Sequence, residues 1–260
     1  MASFRKGWNI QTRVIGALML RELTTRFGRE NIGFLWIMVE PLLFAVLVGL
    51  LWRVMKGPVE FGVDIVSFVV SGYIPLVLFR SSLSRSVSSF TANGSLLYHR
   101  QVKILDILLV RFFIELVGHM MAYLFIAVVL GAFGMFPWPY DMGFLLLGWA
   151  YYALFTISVC LVIAPLSEMN EILEKFMPVT AYLMVPFSGA FFIVSALSPA
   201  VAEIILYSPP VHGMEMMRYG LFGPSIDPQY SLLYPLQFCL PCMALGLLLC
   251  RAVRKQLVVE

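Results

Sequence analysis

The run FLWIMVEPLLFAVLVGLLW, residues 34–52, decides the fold class. At about 1.5 Å of rise per residue, a helix of these 19 residues crosses the roughly 30 Å of hydrocarbon in a bilayer. One carboxylate, Glu40, sits inside the run, ahead of Pro41. The 12 Leu, Ile, Phe and Val residues favour insertion by about 0.3–0.6 kcal/mol each, against about 3 kcal/mol for one central acidic side chain. The segment therefore inserts despite its charge.

The rest of the chain has the same character. Of its 260 residues 60% are hydrophobic and 13% charged, where a soluble domain has about 45–50% and about 25%. With a mean hydropathy of +0.88, 21 Phe and 15 Met, too little polar surface remains to cover a soluble globule. The composition predicts an all-α integral membrane protein. A net charge of +3 without a basic stripe excludes nucleic acid as a partner. Cys160, Cys239, Cys242 and Cys250 lie in apolar sequence, so they read as small packing residues and not as a disulfide framework. The CxxC spacing of Cys239 and Cys242 lacks the soluble strand-to-helix setting that makes such a pair redox-active.

Five further spans are expected: Val63 to Phe79, Ile114 to Phe136, Met142 to Leu166, Phe176 to Ile193 and Leu232 to Cys250. Six transmembrane helices place both termini on one side. On that side fall 15 of the 18 Lys and Arg residues, leaving Arg53, Lys56 and Arg218 on the other, and the bias makes the termini cytoplasmic. Residues 1–33 carry six basic residues but no uninterrupted apolar core and no small-residue cleavage site, so they are not read as a signal peptide. At helical spacing Trp8, Ile15, Met19, Leu23 and Phe27 share one side, while Arg13, Arg21, Thr24 and Thr25 share the other. This predicts an N-terminal interfacial amphipathic helix in the headgroup layer.

Two connections exceed a turn. The cytoplasmic one, 80–111, contains Thr91-Ala92-Asn93-Gly94-Ser95, a breaker, and then Leu96-Leu97-Tyr98-His99-Arg100, a short amphipathic piece that reads as a docking surface. The external one, 194–231, is too apolar for a free loop. Its stretches Ala200 to Tyr207 and Val211 to Phe222 are helix-like but too short to span, so a re-entrant helical hairpin is expected. The whole of 1–260 reads as a single transmembrane domain.

No phosphate loop, HExxH pair or GxSxG elbow occurs, which excludes ATP or peptide hydrolysis by those routes. His99, His119 and His212 lack clustered ligand partners, so no metal site is expected and no catalytic residue is assigned. The two halves show no repeat of the kind secondary transporters carry. Glu40, Glu115 and His119 are the intramembrane polar groups that require either pairing or a function.

The run Arg21-Glu22-Leu23-Thr24-Thr25-Arg26-Phe27-Gly28, leading to Gly33-Phe34-Leu35-Trp36 and Glu40-Pro41-Leu42, resembles the membrane subunits of type 2 ABC exporters. Ser188-Gly189-Ala190-Phe191-Phe192 and the run from Ser208 to Gly220 resemble the branch made up of capsular polysaccharide export permeases. The resemblance covers nearly the whole chain. It implies a homodimer in the bacterial inner membrane, with each copy bound to one cytoplasmic ABC ATPase subunit. The dimer would export a lipid-linked acidic polysaccharide, helped by a co-polymerase-type adaptor. ATP and Mg would be held by the partner ATPase and no cofactor by this chain. The segment Asn93 to Lys103, comprising Asn93, Gly94, Ser95, Leu96, Leu97, Tyr98, His99, Arg100 and Lys103, would couple to that ATPase.

Arg21, Arg26 and Arg29 stand where an anionic linker would first meet the membrane, although ordinary positive-inside anchoring is the favoured account of them. Trp36, Tyr73, Tyr123, Tyr151, Tyr152 and Tyr182 are candidates to stack on sugars, or else belt residues. Glu40 joins the pathway candidates. His212, Glu215 and Arg218 recur every three residues on one helical face, either pairing locally or presenting a polar edge to the glycan. Alternatives are an O-antigen or teichoic acid export permease and, from another class, a membrane-embedded enzyme acting on lipid-linked glycans through Glu40, Glu115 or His212.

Overall fold

A computed structural model describes residues 2–27, 32–87, 89–90, 93–94 and 102–257, the side chains of 2–6, 26–27, 32–38 and 255–257 excepted. The order is α1 (Ala2–Phe27), α2 (Ile32–Lys56), β1 (Val59–Glu60), β2 (Val63–Asp64), α3 (Ile65–Ser86), α4 (Ile104–Ala132), α5 (Met142–Met169), α6 (Glu171–Leu183), α7 (Pro199–Leu206), α8 (Pro209–Phe222) and α9 (Leu233–Leu257). Short 3₁₀ turns link α6 to α7. The all-helical membrane architecture expected from composition is present. Helices α3, α4, α5 and α9 are long and apolar enough to cross a bilayer, while α2, at 25 residues, has the length to do so and continues through Pro41.

Helix α3 is the central pillar: 17 of its 22 residues are buried, against α2, α4, α5 and α6. Its start is fixed by Asp64, whose carboxylate accepts from the N–H groups of Val66 at 2.9 Å and Ser67 at 3.3 Å. Arg53 at the end of α2 pairs with the same carboxylate at 3.3 Å. Between them β1 and β2 form a hairpin, Val59 opposite Asp64 and Glu60 opposite Val63. Its two-residue turn places both Phe61 and Gly62 at positive φ, as a primed turn requires.

Several boundaries differ from those read in the sequence. Helix α3 runs on to Ser86, and α4 begins at Ile104, where the Lys103 N–H donates to Asp106 at 3.0 Å. The connection between them is therefore 87–103, and Arg80, Arg85 and Arg111 are helical. The expected span Phe176 to Ile193 is α-helical only as far as Leu183. Pro186 then opens a 3₁₀ turn, and Gly189 takes φ +74°, a left-handed step that reverses the chain. The two helix-like pieces of 194–231 are α7 and α8, with Pro199 and Pro209 at their first turns.

Helix α1 lays Leu18 and its neighbours Val14, Ile15, Met19 and Leu23 on Val110 and Ile114 of α4. Trp8 points away and is exposed. Helix α8 lies along α5 at closest approach, through Gly148 on one helix and Gly213 and Gly220 on the other. A Cβ on Gly220 would strike the backbone of Leu145, and one on Gly148 the backbone of Met217. Small residues of this kind let two backbones meet where no hydrophobic effect drives helices together. We expect Gly220→Ala to lower the thermal midpoint of the detergent-solubilised protein by several degrees, whereas Gly16→Ala, with open space around it, leaves the midpoint unchanged. Fluorescence-detected size-exclusion after heating checks this.

Candidate functional site

Three groups of polar and aromatic side chains stand out. The first joins α1, α3 and α4. Arg111 on α4 pairs with Glu22 of α1 at 3.3 Å and donates to the Arg85 carbonyl of α3 at 2.9 Å. Arg85 in turn meets Glu115 at 2.6 Å, and Glu115 lies 3.7 Å from the ring of His119. His119 Nδ1 donates to the Glu115 carbonyl at 2.8 Å. Glu115 and His119 are both fully buried, so two of the intramembrane polar groups singled out in the sequence are engaged with Arg85 and with each other.

The same region holds the start of the expected coupling segment. Asn93 is buried; its side-chain NH₂ donates to the Ser89 carbonyl at 2.9 Å, and its carbonyl oxygen accepts from Arg21 at 3.5 Å. Gln11 of α1 donates to Asp106. Helix α1 is thus tied to both edges of the 87–103 connection. Gly94 is half-buried, and Lys103 is the N-cap of α4. Ser95, Leu96, Leu97, Tyr98, His99 and Arg100 lie outside the described residues, as do Arg29 and the side chains of Arg26 and Trp36.

The second group is an aromatic face shared by α2, α3 and α6. Tyr73 stacks on Phe44 at 4.7 Å and approaches Phe191 at 6.5 Å, and Trp52 lies 5.9 Å from the same Phe191. Tyr73 is within electrostatic range of Glu40, Arg80 and Tyr182. Arg80 places its guanidinium 4.0 Å over the ring of Tyr182. Glu40 and Tyr182 are exposed. Glu40, Tyr73 and Tyr182, distant in sequence, therefore share one face. Tyr123 and Tyr152 instead lie in the core, Tyr123 edge-on to Trp149 at 5.4 Å, and Tyr151 donates to the Leu232 carbonyl at 3.0 Å.

The third group is the polar edge of α8. Its three members are buried and bond to backbone. Arg218 donates to the carbonyls of Gly189, at 2.8 Å, Ala190 and Phe192, and stands 4.0 Å over Phe68. Glu215 accepts from the N–H groups of Val194 and Gln229, each at 3.2 Å. Burial pushes its carboxyl up, while Arg218 and the two N–H donors pull it back down. His212 Nδ1 accepts from the Ser231 N–H at 3.0 Å, so its proton is on Nε2, facing the Leu206 carbonyl at 2.9 Å. Burial holds this imidazole below its ordinary pKa and thus neutral. Together the three side chains satisfy seven backbone groups in the irregular segments on either side of α8.

Sequence reasoning did not single out Arg80, Phe44, Phe191, Glu22, Arg85 or Arg111. Arg80 and Arg85 were counted as loop charges because the apolar run stops at Phe79, and the i, i+7 spacing of Tyr73 and Arg80 was the available signal for a shared face. Among the described residues no group of His, Cys, Asp and Glu is placed to hold a metal.

Residues 13–222 match the family described as ABC-2 type transporter. The capsule polysaccharide export inner-membrane protein CtrC of Neisseria meningitidis serogroup B is 42% identical to this chain over 89% of each. The capsule polysaccharide export inner-membrane protein BexB of Haemophilus influenzae is 33% identical over 97% of this chain and 96% of its own length. The polysialic acid transport protein KpsM of Escherichia coli is 27% identical over 95% and 96%.

Arg218→Met would strip three carbonyls of their donor, at a cost of about 1–3 kcal/mol for each group left bare. We expect this variant to lose the folded state in detergent, with Arg218→Lys falling between it and the parent. Thermal unfolding followed by intrinsic fluorescence measures the order.

Proposed function

This chain belongs to the ABC-2 type transporter family, and from that premise we propose that it is the membrane permease subunit of an ATP-driven exporter of capsular polysaccharide across the inner membrane. The observation that carries this reading is the 42% identity, over 89% of both chains, to a capsule export inner-membrane protein. Two named capsule proteins and a polysialic acid transporter align along nearly the whole chain, which favours capsule over O-antigen or teichoic acid. The finer reading has α2, α3, α4, α5, α6 with its 3₁₀ continuation, and α9 as six spans, both termini in the cytoplasm, and α7–α8 as the external re-entrant hairpin.

The chain does no bond chemistry in this scheme. ATP and Mg bind a separate cytoplasmic ATPase, two copies of which serve a homodimer of this subunit. The piece from Asn93 to Lys103 seats on that ATPase. Helix α1 touches both edges of the piece and is ion-paired through Glu22 to Arg111 of α4, which in turn hydrogen-bonds the Arg85 carbonyl of α3, so a push on it has a physical route into the spans. Helices α2 and α6 expose Leu43, Leu47, Leu51, Phe176, Val179 and Leu183, an apolar face suited to a second copy. Arg21, Arg26 and Arg29 receive the lipid-linked acidic glycan, Trp36, Glu40, Tyr73 and Tyr182 line its path, and a co-polymerase-type adaptor receives it outside. The rival reading, an enzyme acting on lipid-linked glycans, is disfavoured because Glu115 and His212 are committed to buried partners while Glu40 is exposed on a third helix.

Cells deleted for this chain should accumulate glycan inside and show none on the surface. Pull-down from a membrane extract should retain an ATPase at one-to-one ratio, and Leu97→Asp should reduce that retention at least tenfold. Glycan conversion by the purified chain alone would favour the enzyme.

A further inference from the structure

Arg80 is the sixteenth residue of α3, about 9 Å short of the end of that helix. Charged groups within a span are costly and normally pair, or face water or a ligand. The other arginines that contact the central bundle have accounted partners: Arg85 meets Glu115, Arg111 meets Glu22, Arg53 meets Asp64, and Arg218 caps three carbonyls. Arg80 has no carboxylate within ion-pair distance and no side-chain hydrogen bond among the described residues. The carbon of its guanidinium stands 4.0 Å over the centre of the Tyr182 ring.

Stacking fixes the plane of a guanidinium while leaving its edge N–H donors unused. That edge is the fork that takes a carboxylate or phosphate in a bidentate grip. On the same α2–α3–α6 face Tyr182, 61% exposed, and Phe44, 48% exposed and stacked on Tyr73 two helical turns from Arg80, offer flat rings, with the carboxylate of Glu40 also within range of Tyr73. A held cation beside open aromatic faces fits a polymer of sugar rings that carries oxyanions. It fits a neutral polymer poorly, since the cation would then stay uncompensated. A guanidinium that snorkels to lipid headgroups extends towards the helix end, whereas this one is held across to the neighbouring helix.

We propose that Arg80, held by Tyr182, is an oxyanion-contacting station in the translocation path and makes the permease selective for an acidic glycan. This rests on the exporter reading and adds a specificity residue to it. The interaction is renewed as successive acidic groups pass, so Arg80 contributes to charge discrimination in a moving substrate.

The test uses the permease–ATPase complex in phosphatidylcholine vesicles, with ATPase rate as the readout. The probe is lipid-linked glycan extracted from non-exporting cells, either intact, carboxyl-reduced to the alcohol, or cleaved at its lipid phosphate. Arg80→Gln should raise the half-maximal concentration of intact glycan about tenfold or more, the loss of one charge-assisted hydrogen bond. Arg80→Lys and Tyr182→Leu should shift it by smaller factors. The gap between parent and Arg80→Gln should close on the carboxyl-reduced glycan if carboxylates are read, or on the cleaved glycan if the linker phosphate is read, and either result supports the station. A gap that persists on both modified glycans, or that appears only when phosphatidylglycerol is added and irrespective of glycan, overturns it. Equal responses of parent and Arg80→Gln to intact glycan overturn this inference alone, while a parent complex deaf to intact glycan overturns the exporter reading with it. Equal melting points and equal ATPase retention among the variants exclude misfolding as the cause of a shift.

Discussion

Backbone carbonyls and N–H groups cannot be left bare in hydrocarbon, and the architecture of this chain follows from how that constraint is met. Through α2, α3, α4, α5 and α9 the helix ladder meets it internally except beside Pro41, Pro75, Pro165 and Pro241, each of which lacks the N–H for one carbonyl of the preceding turn. Between Leu183 and Leu233 the ladder is interrupted by Pro186, Gly189, Pro199, Pro209 and Pro210, and side chains of α8 complete it. Arg218 serves the turn before α7, Glu215 ties that turn to Gln229, and His212 joins the end of α7 to Ser231. One helical face thus organises the chain from Gly189 to Ser231, the two short helices and the irregular segments between and around them. A single long cation is well suited to the task, because a guanidinium has five donors and carbonyls cluster where a helix ends.

The staple works only if α8 is held close. Gly72 on α3 leaves room for the Ala190 carbonyl and for the Arg218 guanidinium, while Gly148, Gly213 and Gly220 bring α8 onto α5. Packing and polar satisfaction are therefore mutually dependent. Without the glycines the donors stand too far from their carbonyls, and without the donors the turn at Gly189 keeps only its apolar contacts, such as Phe191 against Tyr73. The 0% exposure of Glu215 and Arg218 is the outcome of both.

Much of this was legible in the sequence. Hydropathy marked the long helices, and length alone separated α7 and α8 from the spans, because a 14-residue helix is about 21 Å long. Proline and apolar content together marked α7 and α8 as two short helices. What composition could not reveal was where helices outlast their apolar runs: α3 carries six polar or charged residues past Phe79, among which Arg85 finds Glu115, and Ser81 and Ser86 bond to carbonyls of their own helix. The spacing of His212, Glu215 and Arg218 was visible, but their partners lie 6 to 29 residues away on chain that only folding brings near. Gln11 with Asp106 and Glu22 with Arg111 were likewise hidden by their separation.

Arg80 and Arg85 sit five residues apart on one helix, and the contrast between them separates architecture from work. Arg85 reaches the α3–α4 seam, where it pairs with the buried carboxylate of Glu115 at 2.6 Å. Arg80 points to the α2–α6 side, where Tyr182 lies under its guanidinium and the face continues through Tyr73 to Phe44 and the carboxylate of Glu40. A π face orients a cation but does not cancel its charge, and among the described residues no carboxylate stands within ion-pair distance of Arg80. The five-residue offset, about 140° around the helix, is what divides the two roles.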